Sequence, residues 1–141
     1  MKKTIGRIDK ADFPLLDLFE IAVKIDTGAY TSSIHCKNVL EEKGVLKCNF
    51  LDEEHPDYDG KEIIFNDYQI ANVKSSNGIV QTRYKIKTQI ILFGETHDIQ
   101  LTLSDREEMK FPVLLGRKFL NKKYIVDTTV TNVSHKRHHK K

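Results

Sequence analysis

Asp26-Thr27-Gly28 is the stretch whose residue types and order best suit chemistry. The residues before it, Ile21-Ala22-Val23-Lys24-Ile25, have the period of a half-buried strand. An aspartate at the end of such a strand is held in a fixed direction by the fold. A carboxylate held that way can take a proton from water or, when protonated, give one to a substrate. Gly28 permits a positive φ and a close backbone approach. The same triplet also reads as an Asx-turn that only closes a strand.

Other constellations are thinner. His35, Cys36, Cys48 and His55 are ligand types that suit zinc, but their intervals match no Cys-x-x-Cys pair and no His-Glu-x-x-His. His35 and Cys36, adjacent on an expected strand, point to opposite faces. No metal or other cofactor is expected. The acidic run Asp52 to Gly60 lacks the spacing of a calcium loop and reads as a solvated loop. The chain has no phosphate-cradling Gly-x-x-x-x-Gly-Lys and no Gly-x-Ser-x-Gly nucleophile motif.

A second stretch, Phe111 to Leu120, is an apolar strand-like run that ends in Gly116-Arg117 and leads into an expected short helix. An Asp-Thr-Gly followed about ninety residues later by Leu114-Leu115-Gly116-Arg117 resembles the retropepsins, the single-lobed aspartic proteases. The match is closer to a bacterial family of retropepsin-like aspartic endopeptidases, also called ATP-dependent zinc proteases. The blocks that carry it are Lys24 to Ala29, Thr31-Ser32 with His35, Ser75 with Gly78, and Arg83-Tyr84. They continue with Leu101 to Leu103, Asp105-Arg106 with Met109, Leu114 to Arg117, and Val126-Asp127. The chain departs from the family at Tyr30, where Arg is usual, at Cys36 in place of Ala, and at Thr128 in place of Pro.

The resemblance implies an all-β, single-lobed acid-protease fold, a closed barrel or sandwich with one short helix after Leu114–Arg117. It implies an aspartic-type peptidase that hydrolyses peptide or isopeptide bonds. Such chemistry needs two carboxylates about 3 Å apart that share one proton. One Asp-Thr-Gly per chain then calls for a homodimer with paired Asp26 residues; Asp127-Thr128-Thr129 lacks the glycine. By resemblance, Thr27 locks the two loops together, Gly28 leaves room for substrate, and Ala29 and Thr31 complete the loop. Ser75, Asn77, Gly78 and Arg83 are flap or substrate candidates. Asp105, Arg106, Gly116 and Arg117 are structural supports, with Arg117 able to hold a carboxylate or a loop carbonyl. Two rivals stay open: a non-catalytic peptide-binding or regulatory module on the same fold, and a small zinc-binding protein.

The elements that must position these residues are short strands. A first strand is expected near Thr4 to Ile8, then a loop through Asp12-Phe13-Pro14, with Leu15, Leu16, Leu18 and Phe19 as core anchors. Thr31 to Val39, Val45 to Leu51, Glu62 to Phe65, His97 to Leu103 and Tyr124 to Asp127 read as further strands. Asn77-Gly78 between Tyr68–Lys74 and Ile79–Phe93 is a strong hairpin signal. The hairpin is long enough for its tip to project as a flap.

The 141 residues suit one domain, 1–131, followed by a basic, disordered tail over 132–141. The net charge of +3 is concentrated in that tail, so the body is not a nucleic-acid platform. No apolar run is long enough to span a membrane and no signal core follows Met1, which points to a cytoplasmic protein with reduced cysteines. The expected partners are a peptide or protein substrate and a second copy.

Overall fold

The computed structural model describes residues 2–51, 60–74, 77–104 and 111–139, with backbone alone at 73–74 and 138–139. Eleven strands and two short helices are described among them: β1 (Lys3–Ile5), β2 (Ile8–Phe13), β3 (Leu18–Ile25), β4 (Ser32–Glu42), β5 (Val45–Phe50) and β6 (Glu62–Phe65). Then come β7 (Gln69–Lys74), β8 (Val80–Leu92), β9 (Glu95–Ser104), β10 (Val113–Leu115), α1 (Arg117–Leu120), β11 (Tyr124–Val126) and α2 (Val133–His139).

Six strands close on themselves. Following the hydrogen-bonded neighbours gives β10–β3–β2–β8–β9–β4 and back to β10. This is a closed barrel, the all-β fold expected from the sequence. Its inside is filled by alternate residues of each strand, among them Val23, Ile34, Ile90, Leu101, Val113 and Leu115, all fully buried. Burying each such side chain contributes roughly 1.5–3 kcal/mol. β5 and β6 extend the sheet outward from β4, and β7 pairs with the distal part of β8. β1 and β11 form a separate parallel pair.

Several local expectations differ from the structure. The first strand breaks in two because Gly6 lies against Val130; a Cβ there would stand 2.2 Å from Val130 O. Asp12 and Phe13 belong to β2 rather than to a loop. Leu16 and Leu18 are buried, but Leu15 and Phe19 are exposed, at 66% and 52%. Pro14–Leu16 is a tight 3₁₀ turn, and Glu20 has φ 51°, which breaks the alternation and turns Phe19 outward.

The expected disordered tail begins instead with α2. Asp9, fully buried on β2, accepts the backbone N–H groups of Ser134 (2.9 Å) and His135 (3.1 Å). The Ser134 hydroxyl accepts the N–H of Phe93 at 2.7 Å. A buried carboxylate so bonded holds the first turn of α2 against the barrel.

Candidate active site

β10 lies between β3 and β4, parallel to the first and antiparallel to the second. The loop of residues 26–31 therefore arches from β3 to β4 over the end of β10. Its anchors come from the residues where β10 runs into α1. Asp26 N–H donates to Leu115 O (2.9 Å), Arg117 N–H to Ala29 O (2.8 Å) and Lys118 N–H to Tyr30 O (2.9 Å). Gly116 N–H donates to the buried Ser32 hydroxyl at 3.0 Å. The Arg117 guanidinium donates to Thr27 O at 2.9 Å and lies over the Tyr30 ring. Asp26, Thr27, Ala29 and Tyr30, four of the six loop residues, are thus tied to Leu115, Arg117 or Lys118.

Within the loop, Gly28 N–H donates to Asp26 Oδ1 at 3.1 Å and Ala29 N–H to Asp26 O at 3.2 Å. Asp26 is half-buried, and Thr27 and Gly28 are exposed. Gly28 does not take a positive φ, contrary to the expectation; Gly44, Gly60, Gly78 and Gly94 do. The turn closes through the carboxylate and the loop anchors instead. A Cβ at Gly28 would lie 3.4 Å from Asp26 Oδ1, in ordinary contact.

Of the other candidate residues, Asn77, Gly78 and Arg83 sit on the β7–β8 hairpin. The ladder between β8 and β9 begins at Lys85, and among the described residues 80–84 pair with β7 alone. The tip therefore stands clear of the barrel ladder. Asn77 Oδ1 accepts the N–H of Ile79 at 3.4 Å, and Gly78 has φ +84°. Ser75, Asp105 and Arg106 lie outside the described residues, as does His55.

Sequence reasoning missed a cavity of about 560 Å³ that begins at Thr31 and Ser32, where the loop enters β4. Asp26 does not line it. Four lysines do: Lys85 and Lys87 from β8, Lys118 from α1, and Lys123 just before β11. One acid, Asp98, shares the lining. Thr88 is part of the wall, and its buried Oγ1 has no hydrogen-bond partner among the described residues. Lys85 and Lys87, two apart on β8, share a face by spacing alone, but nothing in the linear order brings Lys118 and Lys123 to them. Lys123 donates to Phe119 O at 3.0 Å and lies over the Phe119 ring. His97, whose ring also packs on Phe119, is held below the ordinary imidazole range by burial and then by Lys123 and Lys3.

Zinc fits poorly among the described residues. Cys36 and Cys48 are fully buried, and the His35 ring is 3.3 Å from Ser104 O. No three His, Cys, Asp or Glu side chains gather there as a metal site would require. Among the described residues, no helix is long and apolar enough to cross a membrane.

Comparison with known proteins gives three results. The family model described as RimB-like, retropepsin-like aspartic endopeptidase RimB, matches residues 4–137. Proteins named probable alpha-L-glutamate ligase, from Shewanella halifaxensis and Desulfotalea psychrophila, are 36% and 35% identical over 132 residues. Each match covers 89% of this chain but only 28% of the longer relative. The crystal structure of Lpg0085, a Legionella pneumophila protein of unknown function, matches with TM-score 0.69 and 25% identity, covering 95% of this chain and 99% of that one.

Proposed function

The chain belongs to the RimB-like family of retropepsin-like aspartic endopeptidases, and on that footing we propose that two copies form one aspartic peptidase acting on acidic, glutamate-rich peptides. The observation that carries the reading is the anchored loop: Asp26 stands at a strand end on a loop tied down by Ser32, Gly116, Arg117 and Lys118. Anchoring of that density suits a group that must keep a fixed direction.

In the proposed reaction the two Asp26 carboxyls share one proton. The ionised one takes a proton from water as the water oxygen bonds to the peptide carbonyl carbon. The protonated one gives its proton to the carbonyl oxygen. The tetrahedral diol then collapses, the C–N bond breaks, and a proton passes to the leaving nitrogen. No covalent enzyme intermediate forms.

The substrate class has two supports. Four lysines against one aspartate make the cavity beside Thr31 and Ser32 cationic, suited to glutamate side chains. The relatives are named for joining glutamate, and a hydrolase on glutamyl peptides shares that substrate class.

The test is a digest of glutamate-rich and glutamine-substituted peptides by wild type beside Asp26→Asn. The glutamate peptides should be cut faster by wild type, with a bell-shaped pH–rate profile that belongs to the pair. Asp26→Asn should fold and lose roughly 10²–10⁴-fold in rate. A folded Asp26→Asn that cuts at the wild-type rate would overturn the catalytic assignment.

A further inference from the structure

Three buried aromatic rings stand in a row beside the lysine-lined cavity. The centroids of Phe119 on α1 and Tyr124 on β11 are 6.0 Å apart. Those of Tyr124 and Phe93, in the turn from β8 to β9, are 5.8 Å apart. Cations cover both ends of the row. Lys123 Nζ lies 4.9 Å from the centre of the Phe119 ring. Lys3 Nζ and Arg137 Cζ lie 5.7 and 5.6 Å from the centre of the Phe93 ring. A ring face attracts a cation through its quadrupole, so the row fixes where these charged groups stand. Lys123 also lines the cavity, so positive charge runs on from Lys85, Lys87 and Lys118 towards Lys3 and Arg137. The fields of the two ends overlap at His97, on which both Lys123 and Lys3 act.

We propose that this row is an exosite, continuous with the cavity, that holds acidic residues of the substrate chain beyond those the cavity takes. The inference rests on the proposed cleavage of acidic peptides and adds a second contact surface to it. An extended peptide advances about 3.3–3.6 Å per residue, so the row spans roughly three or four further residues. Their alternate side chains would face the cations. Arg137 is exposed, and Lys3 and Lys123 are half-buried. Among the described residues only Lys3 of the three has an acid partner, the exposed Glu95. Glu95 also stands 3.9 Å from His97 Nε2, inside the row. A substrate carboxylate would have to displace it from Lys3. The rings favour an acidic peptide over a nucleic acid. Phe93, Phe119 and Tyr124 are buried, so no face is open for a base to stack on.

The test reads binding apart from cleavage, by fluorescence anisotropy of labelled glutamate peptides of four and ten residues on full-length Asp26→Asn. The ten-residue peptide should bind more tightly, and the advantage should shrink as salt is raised. Adding Lys3→Gln with Arg137→Gln should weaken the long peptide roughly fivefold or more and remove most of its advantage over the short one. Lys43→Gln with Lys47→Gln, on the β4–β5 hairpin, makes the same change in net charge and should have less than about half that effect. Glu95→Gln should tighten the long peptide about twofold or more, a direction that misfolding does not produce. Equal losses in the two double variants, or an unchanged affinity in Glu95→Gln, would overturn the exosite. So would an oligothymidylate of equal charge that displaces the long peptide at lower concentration than unlabelled peptide does. If wild type cleaves glutamate peptides while these variants bind alike, the exosite falls and the peptidase reading stands. If the variants behave as expected while wild type cleaves nothing, the exosite stands and the peptidase reading falls.

Discussion

Gly116→Ala tests whether the Asp26 loop is held by direct backbone contact. An alanine Cβ at 116 would stand 2.5 Å from Thr31 O and 2.7 Å from both Thr31 C and Tyr30 O. Each distance is roughly an ångström short of van der Waals contact. The obstructing atoms are all backbone, so no rotamer change relieves the clash. If residues 30–31 retreat, three bonds stretch: Gly116 to Ser32 Oγ, Arg117 to Ala29 O and Lys118 to Tyr30 O. Overpacking of this kind costs about 1–3 kcal/mol. Each weakened hydrogen bond adds at most roughly 0.5–1.5 kcal/mol. A loss of about 3 kcal/mol is expected, since the loop can give up some anchors to relieve the clash. That is a fall in Tm on the order of 10 °C. A displacement of about 1 Å at Asp26 would lower turnover on the order of 10²-fold. Thermal unfolding and initial rates on the glutamate peptide read both effects. Gly28→Ala is the contrast: among the described residues its Cβ meets only Asp26 Oδ1, at 3.4 Å, so its Tm should move little. Should Gly116→Ala melt at the wild-type temperature, the loop is not held as argued.

The remaining expectations follow from single features. Gly78 has φ +84° and a Cβ there meets nothing within 4 Å among the described residues, so Gly78→Val tests backbone strain. A cost of roughly 1–2 kcal/mol in stability should accompany a larger fractional loss in turnover, if the tip closes over substrate; equal losses in both would remove the flap role. His97 is held below its ordinary range by burial and two lysines, so the fold favours its neutral form. Its contribution is complete above about pH 6.5 and is lost as the pH falls through the folded-state value. Wild-type Tm should therefore drop more than that of His97→Gln between pH 7 and pH 5, and parallel curves would contradict this.

The barrel was legible because its strands alternate. Ile21, Val23 and Ile25 are buried as their spacing requires, and β6 spans the expected Glu62–Phe65. Alternation fails where the backbone departs from extended geometry, so the positive φ at Glu20 hid the exposure of Phe19. The loop residues were legible as a motif, but what holds them was only partly so. Arg117 was expected to hold a carboxylate or a carbonyl, and its partner is the carbonyl of Thr27. α2 was hidden by its basic composition, because its anchor is Asp9, some 125 residues away in sequence. The gathering of Lys118 and Lys123 with Lys85 and Lys87 was hidden for the same reason: no local pattern records a neighbour made by barrel closure.

Two aspartate turns in this chain are built alike, and their difference gives Gly28 a role other than backbone freedom. Asp26 and Asp127 each follow a strand whose neighbour runs parallel, and each donates its N–H to that neighbour's last carbonyl, Leu115 or Ile5. In each, Oδ1 accepts the N–H two residues on, and an arginine that follows a glycine donates to the carbonyl of the intervening threonine. At the third position Asp127 has Thr129, whose hydroxyl donates to Oδ1 at 2.6 Å and is the largest cause of its lowered pKa. Asp26 has Gly28, with no hydroxyl to give. The glycine brings only its N–H to Oδ1, which in the proposed reaction would leave the carboxylate able to take a proton from water. Gly28→Thr should therefore fold, since no positive φ is needed and the added Cβ sits at contact distance. Its hydroxyl should then bond Asp26 Oδ1, favour the ionised form in both copies, and remove the shared proton. Activity should fall on the order of 10²-fold or more, well below that of Gly28→Ala, which adds bulk but no donor. If the two variants cleave at the same rate, steric room alone explains the glycine and the comparison with Asp127 carries no mechanism.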